Sequence, residues 1–254
     1  MTETLSPADP RDVAAPVRRR ADRARQVADV LRLQIIHDLV PDGALPCESE
    51  LAADFGVSRN TVRVALDLLR GEGLVDRTPG VGTLVAASKY PHGLDRLQGL
   101  AETLQGRGAV HNEVRTAALV PAAAAVAVRL DVPVGSPVAY LERRRFADGL
   151  PLSLDLTYLV PDLGGPLLEL DLAGRDVFAL LEETAGQPLG EADVTLEAIA
   201  ADRHSAALLE LPSRAPLLLL ERLTRLADGR PVDLEYVRFR GDRISMRGSL
   251  PRHQ

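Results

Sequence analysis

The chain has 254 residues and a net charge of −6 at neutral pH, and its 46% hydrophobic and 26% charged residues are typical of a folded globular protein. Its single cysteine excludes an internal disulfide framework and a multi-cysteine zinc site, and we expect no cofactor and no metal. The first twenty residues have no apolar segment of the secretory type, and no apolar run is long enough to cross a bilayer. We therefore expect a cytoplasmic protein that does not contact a membrane.

The N-terminal part of the chain predicts a tail followed by three helices. Residues 1–17 are rich in proline and have no apolar periodicity, which indicates a flexible tail. Between positions 27 and 39, apolar residues recur at three- and four-residue spacing, and Pro41-Asp42-Gly43 ends this first helix. A second helix follows Pro46, and Ser58 is suited to cap the N-terminus of a third helix.

A hairpin is predicted behind the third helix. Two short β-prone stretches, residues 74–78 and 82–86, flank a turn at Pro79-Gly80-Val81. Two helices, a turn, a third helix and a hairpin follow one another in a winged helix-turn-helix, which we assign to residues 18–87. The next five residues, 88–92, are predicted to be a linker.

The start of the third helix and the hairpin carry the side chains that suit DNA. In a helix-turn-helix, the N-terminal end of the recognition helix enters the major groove. There, arginine matches guanine with two hydrogen bonds and asparagine can read adenine, while the hairpin suits phosphate or the minor groove. A solvated helix face with incidental arginines is the alternative. The predicted DNA-contacting residues are Arg59, Asn60, Thr61, Arg63, Arg77, Gly82 and Thr83.

The same segment resembles the DNA-binding domain of the GntR family of bacterial regulators. The residues that carry the resemblance are Leu45-Pro46-Cys47-Glu48-Ser49-Glu50-Leu51-Ala52, Phe55-Gly56-Val57-Ser58-Arg59-Asn60-Thr61-Val62-Arg63, Glu72-Gly73-Leu74-Val75 and Gly82-Thr83-Leu84-Val85. The resemblance covers residues 20–87. It implies a homodimer that binds an inverted-repeat operator in double-stranded DNA, with Arg59, Thr61 and Arg63 among the contacting positions.

Four residues depart from the family pattern. Ser49 stands where the family commonly has a DNA-contacting arginine, so one contact is expected to be missing. Pro79 and Val81 replace polar or basic residues at the tip of the hairpin, so we expect a weaker grip there. Cys47 takes the place of the usual N-cap serine, and with Glu50 three residues later it resembles a capping box.

Residues 93–250 predict a second domain of mixed helices and strands that contains an internal repeat. The strand sequence Tyr140-Leu141-Glu142-Arg143 returns as Leu219-Leu220-Glu221-Arg222, at an offset of 79 residues. The turn Ala147-Asp148-Gly149 returns as Ala227-Asp228-Gly229, at an offset of 80. Two copies are too few for a solenoid, so we predict a pseudo-twofold domain built on one shared sheet.

Three further elements are predicted before the first hairpin of this domain. The leucines between Leu94 and Leu104 are spaced as on one face of a helix. Val114 to Val120 predicts a strand, and Ala122 to Leu130 predicts a second helix.

This C-terminal part resembles the UTRA ligand-sensing domain of the HutC subfamily. The carrying residues are Glu142-Arg143-Arg144-Arg145, Ala147-Asp148-Gly149-Leu150-Pro151, Tyr158-Leu159-Val160-Pro161, Asp228-Gly229-Arg230-Pro231 and Arg240-Gly241-Asp242-Arg243. The resemblance implies a chorismate-lyase-like fold that binds a small metabolite without converting it. The predicted fold class is therefore α+β, an N-terminal winged helix-turn-helix joined to a chorismate-lyase-like α/β effector domain with an internal pseudo-twofold duplication.

The strands of this domain place charged residues on shared faces. Arg143 and Arg145 are two residues apart on one strand, so their side chains point to the same side of the sheet. With carboxylates and a hydroxyl on neighbouring strands, they suit a small anionic or polar effector. A solvent-facing row of ion pairs is the alternative. Phe239 stands where the family usually has tyrosine, which removes a hydroxyl contact to a phosphosugar. The predicted effector-binding residues are Arg143, Arg145, Ser153, Asp155, Asp233 and Phe239.

Three functions compete at this point. We expect a transcriptional regulator, a repressor of bacterial metabolism genes, whose DNA binding is controlled by a small-molecule effector. A chorismate-lyase-like enzyme is the first alternative, but it has no use for a winged helix and no nucleophile–base pair stands out. The second alternative, a ligand-independent DNA-binding protein, leaves the duplicated domain without a role.

Overall fold

The computed structural model describes residues 10–37, 39–78, 80–86, 89–104 and 109–250. The chain divides into two compact units, residues 1–89 and 90–254. This division falls within the predicted linker of residues 88–92. The linker is shorter at its C-terminal end than predicted, because a strand of the second unit begins at Tyr90.

The N-terminal unit has the predicted order of elements. Its helices are α1 (Pro10–Ile36), α2 (Glu48–Asp54) and α3 (Arg59–Gly71), with a turn of 3-10 helix at Pro41–Gly43 after α1. Its strands are β1 (Ala44–Leu45), β2 (Val75–Thr78) and β3 (Gly82–Val85). The strands form an antiparallel sheet in the order β1-β3-β2. The unit is a winged helix-turn-helix, as predicted.

Helix α1 starts earlier than its sequence pattern indicated. It begins at Pro10, so the predicted flexible tail of residues 1–17 is wrong for residues 10–17. Proline is tolerated in the first turn of a helix, because the N–H that it lacks would have no partner inside the helix. The rest of the predicted tail, residues 1–9, lies outside the described part of the chain.

The core of this unit is built by two helices that follow the predicted spacing. Helix α1 buries Val27, Leu31 and Ile35, and α3 buries Val62 and Leu69 against them. The residues recur every three or four positions, so each helix turns one apolar stripe inward and leaves its other face in water. Polar residues at the start of α3 therefore remain available for contacts outside the unit.

The C-terminal unit contains one large sheet and five helices among its described residues. The strands are β4 (Tyr90–Gly93), β5 (Val110–Pro121), β6 (Pro137–Ala147), β7 (Leu150–Leu159), β8 (Leu189–Ala200), β9 (Pro216–Leu226), β10 (Pro231–Arg240) and β11 (Ile244–Arg247). The helices are α4 (Leu100–Thr103), α5 (Ala124–Leu130), α6 (Pro161–Leu167), α7 (Val177–Ala185) and α8 (Arg203–Leu208).

Two predictions at the start of this unit need correction. The helix predicted between Leu94 and Leu104 is shorter than predicted, since residues 94–99 are not helical and only α4 remains. Residues predicted as linker form β4, which pairs in parallel with β11 at the other end of the domain. This pairing joins residues about 150 positions apart, from Tyr90 to Ile244, and local sequence carries no signal for it.

The large sheet confirms the predicted pseudo-twofold duplication. Its six strands are antiparallel and lie in the order β5-β6-β7-β10-β9-β8, so the second half mirrors the first about the β7–β10 pair. The registers also agree. Arg143 pairs with Asp155 in the first copy, and Arg222 pairs with Glu235 at the equivalent place in the second. Each copy has an irregularity of register near its hairpin turn.

Helices pack on both faces of the large sheet: α6 and α7 lie over the face that carries Arg143, and α8 packs against Leu154 on the other face. The largest apolar cluster joins α5, α6 and α7 to the sheet through residues such as Leu141, Leu159 and Phe178. A second apolar cluster, which includes Leu220 and Phe239, lies further along the same strands. On β6, the buried residues run from Leu141 through two arginines to Ala147, so charged side chains are enclosed between two apolar clusters.

Candidate functional site

A side-chain cap fixes the start of α3 in the N-terminal unit. Ser58 Oγ accepts a hydrogen bond from the Thr61 backbone N–H at 3.2 Å and lies 2.9 Å from Thr61 Oγ1. Thr61 is only 4% exposed, so its side chain belongs to the cap. Arg59 and Asn60 are exposed beside it. The cap therefore presents the first two residues of the helix outward, and a DNA contact by Thr61 stays a prediction.

Glu48 links the recognition helix to the hairpin. Arg63 Nε donates to Glu48 Oε2 at 2.8 Å, and Arg77 Nη2 lies 3.4 Å from Glu48 Oε1. The two arginine side chains remain 59% and 62% exposed, whereas that of Glu48 is 21% exposed. The structure thus brings two predicted DNA-contacting residues together around one acid, a residue that sequence reasoning did not include in the site.

The hairpin holds the remaining predicted residues next to its turn. Thr83 is half-buried opposite Arg77 in the β2–β3 pairing. Gly82 has a φ of +121°, a conformation that residues with a side chain rarely adopt, and it is exposed. Val81 is exposed at the tip, Pro79 lies outside the described residues, and the weaker grip expected there stays a prediction.

The start of α2 holds the other departures. Glu50 accepts a hydrogen bond from the Cys47 backbone N–H at 2.8 Å, as in the predicted capping box. This bond lowers the pKa of Glu50. The thiol of Cys47 lies 3.0 Å from the Ser49 hydroxyl. Ser49 is exposed and too short to replace the reach of an arginine.

In the C-terminal unit, the predicted effector residues meet at a pocket between the sheet and the start of α7. About 20 Å³ of free space inside the pocket is open to a water-sized sphere, which is room for about one bound water. Five of the six predicted residues line it, and the sixth, Ser153, is buried beside it. The pocket-lining members of the predicted set are Arg143, Arg145, Asp155, Asp233 and Phe239. The predicted alternative, a row of solvent-facing ion pairs, is wrong for these residues because all are buried.

Asp155 lies at the centre of the charged network in the first copy. Arg145 donates to its Oδ2 through Nε at 3.1 Å and through Nη2 at 2.6 Å, and Ser153 Oγ donates to its Oδ1 at 2.6 Å. Arg143 Nη2 lies 3.7 Å from Oδ2. Burial acts to raise the pKa of this carboxyl, but the two guanidiniums outweigh burial and the pKa is lowered. Asp155 is therefore ionised at neutral pH.

The second copy contains the matching pair. Arg222 donates to Glu235 Oε2 through Nε at 3.1 Å and through Nη2 at 2.5 Å. Its Nη1 donates to the carbonyl oxygen of Gln98 at 3.3 Å, and its guanidinium carbon lies 4.4 Å from the centroid of the Phe178 ring. These contacts hold the Arg222 side chain in one orientation at the edge of the pocket.

Two titratable groups at the pocket have pKa values displaced by burial. Burial, together with the neighbouring Glu235, raises the pKa of Asp233 to about 8. Burial, with Arg222 and Arg145 nearby, lowers the pKa of His92 to about 4. At neutral pH, Asp233 is therefore mainly protonated and His92 is neutral, with its Nδ1 2.9 Å from Thr103 Oγ1.

Asp176 and Gly99 close the pocket on the side away from the sheet. Asp176 caps α7, since its Oδ1 accepts from the Phe178 N–H at 2.9 Å, and its Oδ2 accepts from the Ala101 N–H at 3.4 Å. A Cβ at position 99 would overlap the Asp176 carboxylate, so only glycine allows this approach. The loop before α4 is thereby held against the start of α7.

Sequence reasoning missed several residues of this pocket. Arg222 and Glu235 were within reach, because the repeat offsets relate them to Arg143 and Asp155. No comparable signal marked the others, which come from outside the repeated strands. The pocket-lining residues outside the predicted set include His92, Gly99, Asp176, Phe178, Arg222 and Glu235.

Comparisons with known protein families assign both units. The UTRA domain family matches residues 105–245, which is more than half of the chain, and the family of bacterial regulatory proteins named gntR matches residues 23–85. The chain belongs to the GntR family of bacterial transcriptional regulators. Its UTRA domain and its similarity to histidine utilization repressors place this regulator in the HutC subfamily, which confirms the resemblance found in its sequence.

The relatives of this regulator are similar over most of their length. It is 31% identical over 222 residues to the HTH-type transcriptional repressor NagR of Bacillus subtilis, covering 87% of this chain and 91% of that protein. It is 32% identical over 185 residues to the histidine utilization repressor of Pseudomonas putida, covering 72% and 74%. The crystal structure of PhnF from Mycobacterium smegmatis matches with a TM-score of 0.65 and 28% identity, covering 89% of this chain and 99% of that one.

These matches define the class of function. The regulator binds DNA through its winged helix and responds to a small molecule through its UTRA domain. The matched proteins are regulators, which excludes the lyase alternative. Among the described residues, no helix is long and apolar enough to cross a membrane, and no three potential metal ligands form a group.

Proposed function

We propose that this GntR-family regulator is a homodimeric repressor of genes for the use of a small metabolite, and that it binds an inverted-repeat operator. Three relatives support the direction of control, since NagR, the histidine utilization repressor and the mannosyl-D-glycerate transport and metabolism repressor are all named as repressors. Because its target is bacterial DNA, we place the protein in the cytoplasm.

In this proposal, the capped end of α3 reads bases and the hairpin holds the DNA backbone. Arg59 and Asn60 are exposed at the N-terminus of the recognition helix, where base edges are within reach. Arg63 and Arg77, held near each other by Glu48, then contact phosphates. Thr61, Gly82 and Thr83 complete the proposed contact set, with Gly82 allowing the backbone of the hairpin to approach DNA closely.

The effector is proposed to bind at the charged pocket of the UTRA domain. The observation that carries this proposal is the burial of several charged side chains around one pocket, some of whose polar atoms have no hydrogen-bond partner among the described residues. Burying charge is costly, so such a group is retained where it serves recognition or is fully paired. The effector-contacting residues are proposed to be Arg143, Arg145, Asp155, Asp233 and Phe239, with Ser153 orienting Asp155.

Operator capture tests the proposal directly. Purified protein is mixed with sheared genomic DNA of its source at about 150 mM salt, and the retained fragments are sequenced. We expect sharp peaks over a short inverted repeat, and the adjacent genes then nominate candidate effectors for titration against the operator complex. The Arg59→Ala variant should lose these peaks, whereas Arg203→Ala, which changes a residue of the other unit, should keep them. A flat profile, or peaks that survive Arg59→Ala, contradicts the proposal.

A further inference from the structure

The two copies of the duplicated sheet bring the same four positions to the pocket face. On the first strand of each hairpin, Arg143 corresponds to Arg222. On the second strand, Asp155 corresponds to Glu235, and the cross-strand pairing of each arginine with its acid is the same in both copies. One arginine–carboxylate pair is thus kept in each half of the pocket.

The other two positions differ between the copies, and the differences change the charge. Arg145 in the first copy is matched by Thr224 in the second, and Ser153 is matched by Asp233. The first copy therefore has two arginines for one carboxylate, whereas the second has one arginine for two carboxyl groups. All eight side chains are buried. The duplication has produced a pocket with a cationic half and an acidic half.

Each half contains buried atoms with no protein partner. Arg143 Nε and Arg145 Nη1 are buried donors, and Asp233 Oδ1 is a buried acceptor, and none has a hydrogen-bond partner among the described residues. Buried polar atoms are nearly always paired, so these atoms point to a ligand. Asp176 contributes a further negative charge near the arginines, but its two oxygens accept backbone N–H groups at the start of α7 and at α4.

We propose that this pocket takes an amphoteric molecule, with its anionic group at Arg143 and Arg145 and its ammonium group at Asp233 and Glu235. The inference rests on the proposed function, because it concerns the same pocket. An effector with an anionic group alone would leave the buried Asp233 Oδ1 without a hydrogen-bond partner. An amine alone would leave the two free arginine donors without an acceptor.

The buried carboxyl of the acidic half gives the proposal a second signature. The groups that face Asp233 are Glu235, Arg222, Thr224 and Arg143, and burial keeps the Asp233 carboxyl mainly protonated at neutral pH. An ammonium group placed against this carboxyl favours its ionised form. Binding of an amphoteric ligand at pH 7 should therefore release close to one proton.

Matched fragments test the proposal on the wild-type chain. The first set is O-phosphoethanolamine with its two fragments, ethyl phosphate and ethylammonium, and the second is 5-aminovalerate with valerate and pentylammonium. Thermal unfolding is measured against concentration at constant ionic strength, since a ligand of the folded state raises the melting temperature. We expect at least one amphoteric compound to bind about tenfold or more tightly than either of its fragments, because each added charge-assisted hydrogen bond is worth about that factor.

Variants that exchange one copy's residue for that of the other locate the two halves. Asp233→Ser installs the smaller polar residue found at the equivalent position of the first copy, so the domain should fold. It should keep the response to ethyl phosphate and lose the extra affinity for O-phosphoethanolamine. Arg145→Thr should lose the response to ethyl phosphate. The matched control is Asp193→Ser, an exposed acid on β8 that should change neither response.

The outcomes separate the two proposals. Amphoteric compounds that bind no more tightly than their anionic fragments, with Arg145→Thr abolishing both responses, overturn the amphoteric ligand and keep the effector pocket. No response to any member of either set overturns both. Calorimetry of 5-aminovalerate binding in two buffers of different ionisation enthalpy adds the proton count, and a heat that is independent of buffer contradicts an ammonium at Asp233.

Discussion

Removing Arg145 tests how the buried charges of the UTRA domain are balanced. In the native domain, the Asp155 carboxylate accepts two hydrogen bonds from Arg145 at 3.1 and 2.6 Å and one from Ser153 at 2.6 Å, with Arg143 at 3.7 Å. Arg145→Ala removes the closest cation and leaves the carboxylate with the hydroxyl and a more distant guanidinium. Breaking a buried ion pair on one side costs about 3–5 kcal/mol of the free energy of unfolding.

The double variant separates a lost interaction from an uncompensated charge. Arg145→Ala combined with Asp155→Ala removes both partners, so no unpaired carboxylate remains. We expect the double variant to recover about 1–3 kcal/mol relative to Arg145→Ala, although it lacks one more side chain. The single variant should also lose less stability at pH 4 than at pH 7, because Asp155 without Arg145 can take up a proton when its pKa rises.

Urea unfolding of the full chain, followed by far-ultraviolet circular dichroism, measures these changes. The chain has two units, so two transitions are expected, and Leu69→Ala identifies the one that belongs to the winged helix because Leu69 is in the core of that unit. Arg145→Ala should move only the other transition. A double variant no more stable than the single one, or a loss that is the same at pH 4 and pH 7, would refute the argument that an unpaired buried carboxylate causes the effect.

Three further predictions concern individual groups. Glu48→Gln should raise affinity for non-specific DNA about threefold or more, since it frees two exposed arginines, and it should change stability by less than about 1 kcal/mol. Fluorescence anisotropy measures this affinity, with Asp67→Asn as the matched control. Weaker DNA binding by Glu48→Gln would contradict the prediction. The raised pKa of Asp233 means that its stabilising contribution is present below about pH 4 and is lost as the pH rises through about 8. Asp233→Asn should therefore flatten the decline in melting temperature over that range, and an unchanged slope is the contrary result. Gly99→Ala should lower the melting temperature of the UTRA domain, because displacing Asp176 from the start of α7 costs about 1 kcal/mol of the free energy of unfolding. An unchanged melting temperature would show that the loop before α4 moves without cost.

Much of the fold could be predicted because its signals are local or repeated. The apolar spacing of α1 and α3 and the serine cap at α3 are properties of short segments, and they predict the winged helix without tertiary information. The repeat predicted two related halves on one shared sheet, but it did not predict the strand order that joins them through β7 and β10. The earlier start of α1 and the pairing of β4 with β11 had no such local signal.

The site was predicted only as far as strand geometry allows. Alternation along a strand places Arg143 and Arg145 on one face, but it does not say whether that face meets water or helices. The burial of this face was decided by α6, α7 and the loop before α4, which pack over it from distant parts of the chain. The same limit applies to Ser153. The alternation of side chains along β7 placed it on the face of the pocket, but tertiary packing decided that it lies beside the pocket and does not line it.

By itself, the amino-acid sequence determined the two domain types, the DNA-reading end of α3 and the duplicated strands. Each of these follows from residue spacings within a short segment or from a direct repeat. Tertiary structure alone decided that the two halves of the duplication meet at the β7–β10 pair and enclose their charges together. Only that enclosure sets the pKa of Asp233, pairs Arg222 with Glu235 inside the pocket and brings His92 and Asp176 to the same space. The physical reason is that burial and charge proximity depend on which surfaces are packed together, and no single segment contains that information.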